Sequence, residues 1–274
     1  MVSVFKYILV LWSVVFFSGC AGFEALQEPP ISPSTATYQL KLTSKLIPNN
    51  ALSAFVNEEE NIIYYTDSGK GKDAAAIFLL GGIGVLASQA AKQSKSTREA
   101  DQLADSMLFE PKLIIEEIIT NKEQRLSLGD DSSAYSITPY LHIKSVDENK
   151  IAMAAAVVIE EQVSDSKAWY GIYVHETDSR YNIDDLSGAP DEQFIHKLGQ
   201  ELSDGYREVL NLYLSMPTTN LAKEEPVKFK TDIIPDGRSN YMKAEMVSCS
   251  VGRVCLKTEN AVYSIKPENI EYDD

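Results

Sequence analysis

Residues 134–162 read AYSITPYLHIKSVDENKIAMAAAVVIEEQ. Two runs rich in β-branched and aromatic side chains, 134–146 and 150–162, flank the short polar turn Asp147-Glu148-Asn149. That pattern predicts a long antiparallel hairpin. The run AWYGIYVHE (168–176) supplies a third strand. The period then changes. Over 191–214, Phe194, Leu198, Leu202, Tyr206, Val209 and Tyr213 recur every three or four residues, the spacing of one helix face. Upstream, TYQLKLTSKL (37–46) alternates apolar and polar residues as a half-buried strand does. Residues 53–67 read as two short strands around an acidic turn, and Ala100, Leu103, Ala104 and Met107 mark a polar helix. Pro111 opens another helix at the position where its missing N–H costs nothing, with Leu113, Ile115, Ile118 and Ile119 as the apolar stripe. The expected fold class of 37–216 is therefore α+β, a mostly antiparallel sheet with helices on one face.

Beyond a linker at 217–226, five short β-runs follow in 227–274: VKFKTDII, YMKAEMVSCS, RVCLKTE, AVYSIKP and IEY. Gly252 sits between Cys249 and Cys255, so a hairpin turning there would set the two cysteines directly opposite each other, close to the spacing of a disulfide. Five strands in so short a stretch predict a small closed β-barrel, stapled by Cys249–Cys255. The meander ending in YSIKPENIEY resembles an SH3-like or Sm-like barrel, a likeness of fold and not of function.

The first twenty residues stand apart. A single Lys6 precedes an uncharged run, Tyr7 to Phe17, which ends in Ser18-Gly19-Cys20. These are the three regions of an export signal, so 1–19 is excluded from the fold. The site resembles the lipobox of bacterial lipoproteins, with Phe17 where Leu is usual. That resemblance implies a signal peptide (1–19), acylation of Cys20 as the mature N-terminus, and attachment to a lipid bilayer through the acyl chains. Ala21, in place of Asp, implies the inner leaflet of the outer membrane, facing the periplasm. Residues 20–36, with Pro29, Pro30 and Pro33, read as a flexible tether. A formal net charge of −15 argues against nucleic-acid partners and for a body held off anionic surfaces. An exported chain meets oxidising conditions, which favours the disulfide.

Residues 74–92, AAAIFLLGGIGVLASQAAK, are open to three readings. Gly82-x-Gly84-x-x-Ala87 has the look of a dinucleotide loop, but no second strand follows before Asp101 and Asp105. Eighteen uncharged helical residues reach about 27 Å, a little short of a membrane core. The favoured reading is a packing helix: Gly84/Ser88 and Ala87/Ala91 are small pairs four apart, and Gly81, Gly82 and Gly84 each cost about 1 kcal/mol of helix propensity that close packing must offset. The segment resembles glycine-zipper stretches of envelope lipoproteins. Gly81, Gly82, Gly84, Ala87, Ser88 and Ala91 are thus candidate interaction residues.

Signals for catalysis are scarce. HExxH and G-x-S-x-G are absent, and SGKGKD (68–73) lacks the first Gly and terminal Ser/Thr of a phosphate loop. His142 and His175, on separate strands, would make a pH or metal site if they faced each other; ordinary strand positions are the simpler expectation. Asp178, Asp184, Asp185 and Asp191 lack calcium-loop spacing and read as a solvated acidic loop. Glu116/Glu117 and Glu160/Glu161 read as solvated faces or strand ends, and Trp169, Tyr170 and Tyr173 as sheet packing. No catalytic residue, metal ligand or cofactor is expected. The expected role is a non-catalytic accessory or structural component of an envelope assembly or transport system. Its partners would be envelope proteins or a second copy of the chain. The alternative is a lipoprotein that binds and transfers a lipid or other apolar ligand.

Overall fold

A computed structural model describes residues 25–29, 36–48, 53–66, 93–104, 109–121, 126–130, 133–146, 149–164, 167–187, 190–215, 226–231, 233, 241–247 and 252–273. Its strands are β1 (Thr37–Leu40), β2 (Ser53–Asn57), β3 (Ile62–Tyr65), β4 (Ser127–Leu128), β5 (Tyr135–Ser145), β6 (Lys150–Ser164), β7 (Lys167–Asn182), β8 (Val227–Thr231), β9 (Met242–Val247), β10 (Val254–Lys257), β11 (Ala261–Ile265) and β12 (Ile270–Tyr272). Helices are α1 over 93–104, α2 (Pro111–Thr120), α3 (Ile183–Ser187) and α4 (Glu192–Leu214), with a 3-10 turn at Pro267–Asn269.

The predicted hairpin is the spine. β5 and β6 pair antiparallel from Tyr135↔Glu161 to Ser145↔Ile151, and β6 pairs with β7. The α+β class holds, but the sheet is mixed and open rather than mostly antiparallel. It runs β12-β8-β9-β10-β11-β7-β6-β5-β1-β4, with β3 pairing β5 and β2 pairing β3 off that path. β1 lies parallel to both β4 and β5, β3 parallel to β5, and β11 parallel to β7. The five C-terminal strands all form, in the order β12-β8-β9-β10-β11. They extend the same sheet through the β11–β7 junction, where Ala261 meets Ile172 and Ser264 meets His175.

β6 explains the architecture. Ala152 to Ile159 is buried on both faces, which is why the strand reads as a nearly unbroken apolar run. One face carries Ile151, Met153, Ala155, Val157 and Ile159, packed with the helices. α4 spans this layer, with Leu198 and Leu202 at one end of the core and Tyr206, Val209 and Tyr213 at the other. It begins where Asp191 caps the Phe194 N–H at 2.7 Å. It comes close because Gly205 has no side chain: a Cβ there would lie 3.1 Å from the Ala155 Cβ. α2 adds Ile115, Ile118 and Ile119, whereas Leu113, expected in its stripe, is 53% exposed.

The other face of β6 carries Ala152, Ala154, Ala156 and Val158. These small residues leave room for large neighbours: Tyr65 and Tyr140 from one side, Phe229 and Tyr263 from the C-terminal strands. The last strands therefore cover the second face of the sheet, so the helices do not seal the molecule alone.

Residues 25–29 belong to the body as well. Leu26 is 4% exposed, sits in the helix-side core and donates its N–H to the Thr258 carbonyl at 2.7 Å. The expected flexible tether of 20–36 is therefore pinned in its middle. Apolar contact with Trp169 and Gly171 overrides the composition that reads as linker.

Candidate functional site

The residues singled out from sequence divide sharply. Cys20, Cys249 and the whole 74–92 segment, with Gly81, Gly82, Gly84, Ala87, Ser88 and Ala91, lie outside the described residues. Cys255 is fully buried on β10. Its cross-strand partner is Val247.

His142 and His175 do not face each other. β6 runs between their strands: His142 pairs with Ala154, and Ala155 with His175. Adjacent residues of a strand point to opposite faces, so the two imidazoles lie on opposite sides of the sheet. Burial lowers both pKa values to about 3, helped by Lys144 beside His142 and Arg253 beside His175. His142 packs edge-on against Tyr65 and Tyr140, with ring centroids 5.0 and 4.7 Å away. Its Nδ1 has no hydrogen-bond partner among the described residues, nor do Ser136 Oγ, Thr138 Oγ1 and Tyr140 OH on the same strand face. None of these atoms is joined to a nucleophile–base–orienter chain, the arrangement that acid–base or covalent catalysis requires.

The acidic residues are also dispersed. Asp184 accepts from Asn149 Nδ2 at 2.8 Å, Asp185 from Asn182 Nδ2 at 2.9 Å, and Asp191 caps α4. Among the described residues no group of three His, Cys, Asp or Glu could hold a metal ion. Glu161, expected at a solvated strand end, is instead 5% exposed beside Tyr135.

Two features escaped the sequence reading. Glu176 on β7 is fully buried. It pairs with Arg180 and accepts from Asn269 Nδ2 at 2.8 Å and the Lys266 N–H at 3.1 Å. Arg253 Nη1 donates to the Glu176 carbonyl at 2.7 Å, while its Nη2 and the Lys266 ammonium reach Asp178. A buried carboxylate is tolerated only with this degree of pairing. Here the pairing bolts the 3-10 turn and β10–β11 to β7. All but Arg180 and Asp178 among the partners lie at least 77 residues away, so no local pattern announces it.

The second feature is a groove of about 550 Å³ on the last strands, lined by Pro226, Val227, Lys228, Met246, Tyr272 and Asp273. Met246 and Tyr272 are each 42% exposed, among the largest apolar side chains left in solvent. Among the lining residues Lys228 and Asp273, neighbours at the β8–β12 pairing, form an ion pair at 2.7 Å. Apolar centre and charged rim is the anatomy of a protein contact. The signal was present in MKAEMV, whose two methionines fall on one strand face, but a strand face is not known until its neighbours are.

No family model matches the chain, and no curated protein or solved structure matches it.

Proposed function

We propose that the chain is a lipoprotein of the bacterial envelope, acylated at Cys20, that recruits another envelope protein through the groove on β8, β9 and β12 and does no chemistry itself. The observation that carries the contact is the exposure of Met246 and Tyr272 in the lining of one open groove. The anchor rests on Ser18-Gly19-Cys20 after an uncharged run. No described helix is long and apolar enough to cross a membrane, and a lipid anchor needs none. The buried, separated histidines support a non-catalytic role. Tight filling of the Ala152–Ala154–Ala156 face by Tyr140, Phe229 and Tyr263 supports protein recruitment over carriage of an apolar ligand in the sheet interior. The strand order β12-β8-β9-β10-β11, with a 3-10 turn before β12, supports the likeness of this region to SH3-like folds.

A photoreactive side chain at Met246, activated in intact envelopes, is the direct test. The expected result is one dominant protein adduct that Tyr272→Ala weakens at least five-fold and that a probe at Leu113, exposed on the remote helix α2, does not give. Equal labelling from both positions would remove the groove from the proposal.

A further inference from the structure

The docking of Leu26 sets how far the body can stand from a membrane, and which end faces it. Taken as a free linker from Cys20 to Ala36, sixteen residues could extend about 56 Å. Pinned at Leu26, only six residues remain, and their greatest reach is about 21 Å. The pin is well made. Leu26 is 4% exposed and its N–H donates to Thr258. Its Cδ2 would lie 3.3 Å from a Cβ placed on Gly171, and Trp169 Nε1 donates to the Gln27 carbonyl at 3.3 Å. A side chain at Gly171 would crowd Tyr173, Trp169 and Leu26, whose atoms lie 3.0, 3.1 and 3.3 Å from the Cβ position.

We infer that the protein stands on the bilayer by the end formed by Leu26, Trp169 and the Thr258–Asn260 turn, within about 21 Å of the lipid surface. This rests on the acylation of Cys20 proposed above. The opposite end, at Asn149 and Asn182, lies thirteen residues of β7 beyond Trp169, about 40 Å further out. Exposed Glu28 and Glu259 border the near end, so the surface it meets is zwitterionic lipid rather than an anionic patch. The groove opens on the same half: Met246 pairs with Leu256, two residues from Thr258. Its partner must reach down to the same shallow zone above the membrane.

The chain carries its own reporter. Its two tryptophans are Trp12, in the segment removed with the signal, and Trp169. Purified acylated protein is placed in phosphatidylcholine–phosphatidylethanolamine vesicles containing a dansyl headgroup lipid, and energy transfer from Trp169 is measured. Acylation is scored separately by intact mass. The expected result is transfer at least three-fold higher than in a variant with twenty Gly/Ser residues inserted after Gly22. It should likewise exceed that of a Trp169→Phe, Asn149→Trp chain, whose reporter sits at the far end. Acylated, vesicle-bound protein with equal transfer in all three chains overturns the standing geometry and leaves the anchor intact. Absence of acyl mass on Cys20 overturns both.

Discussion

His142 and His175 make the interior sensitive to acid. Each has its pKa lowered from 6.5 to about 3, chiefly by burial. A group whose folded pKa is depressed in this way is held neutral, so the unfolded chain binds more protons between pH 6.5 and 3. The stabilisation is complete above 6.5 and is lost as pH falls through that window, by about 1.4 kcal/mol per pH unit for each ring. Unfolding free energies from denaturant titration should therefore drop between pH 7 and pH 5, by about 2 kcal/mol per histidine. His142→Phe keeps an aromatic ring against Tyr65 and Tyr140 and should roughly halve that loss; an unchanged slope would show that other groups set it. Both histidines were legible as strand residues. Their relation was not, because facing depends on whether one strand or none lies between theirs, and local sequence does not record strand order.

At the scale of elements, α4 and the β5–β6 hairpin were legible because their signals are local: a 3.6-residue period, a capping Asp191, two β-rich runs around a turn. The four parallel pairings were not. They join segments tens of residues apart, and a strand looks the same in sequence whichever direction its neighbour runs. The pinned Leu26 and the buried Glu176 were missed for the same reason, since their partners are Thr258 and Asn269. The β9–β10 hairpin offers a test at this scale. We propose that Cys255 pairs with Cys249 in the exported protein. Thiol labelling of the unfolded, acylated chain should find no free thiol before reduction and two after. Closing so short a loop is worth about 2 kcal/mol, so reductant should lower the unfolding free energy by that amount. One or more free thiols before reduction would count against the pairing.

For the molecule as a whole, the expected division into an α+β body and a separate small barrel gives way to one sheet with two covered faces. A chain ending before Val227 is the decisive comparison. Were the body independent, it would fold and stay monomeric. The shared core predicts otherwise: loss of Phe229, Ala244, Leu256, Ala261, Tyr263 and Ile265 strips the cover from the alanine face of β6 and from Ile172 and Val174. An uncovered apolar sheet face of this size promotes association. The truncated chain should bind a hydrophobic dye and elute as aggregate in size-exclusion chromatography, while the full chain does neither. A soluble, cooperatively unfolding 1–226 product would restore the modular picture.

The parallel contact between β11 and β7 also orders events in time. Ala261 meets Ile172 and Ser264 meets His175, a separation of 89 residues along the chain. A polypeptide made from its first residue onward can form the β5–β6–β7 meander early, yet has nothing to lay along the other edge of β7 until Ala261–Ile265 emerge. Such distant closure is slow, because the entropy of the intervening loop is lost before any contact compensates. Until Ala261–Ile265 have emerged, that edge of β7 stays unpaired and open to association with another strand.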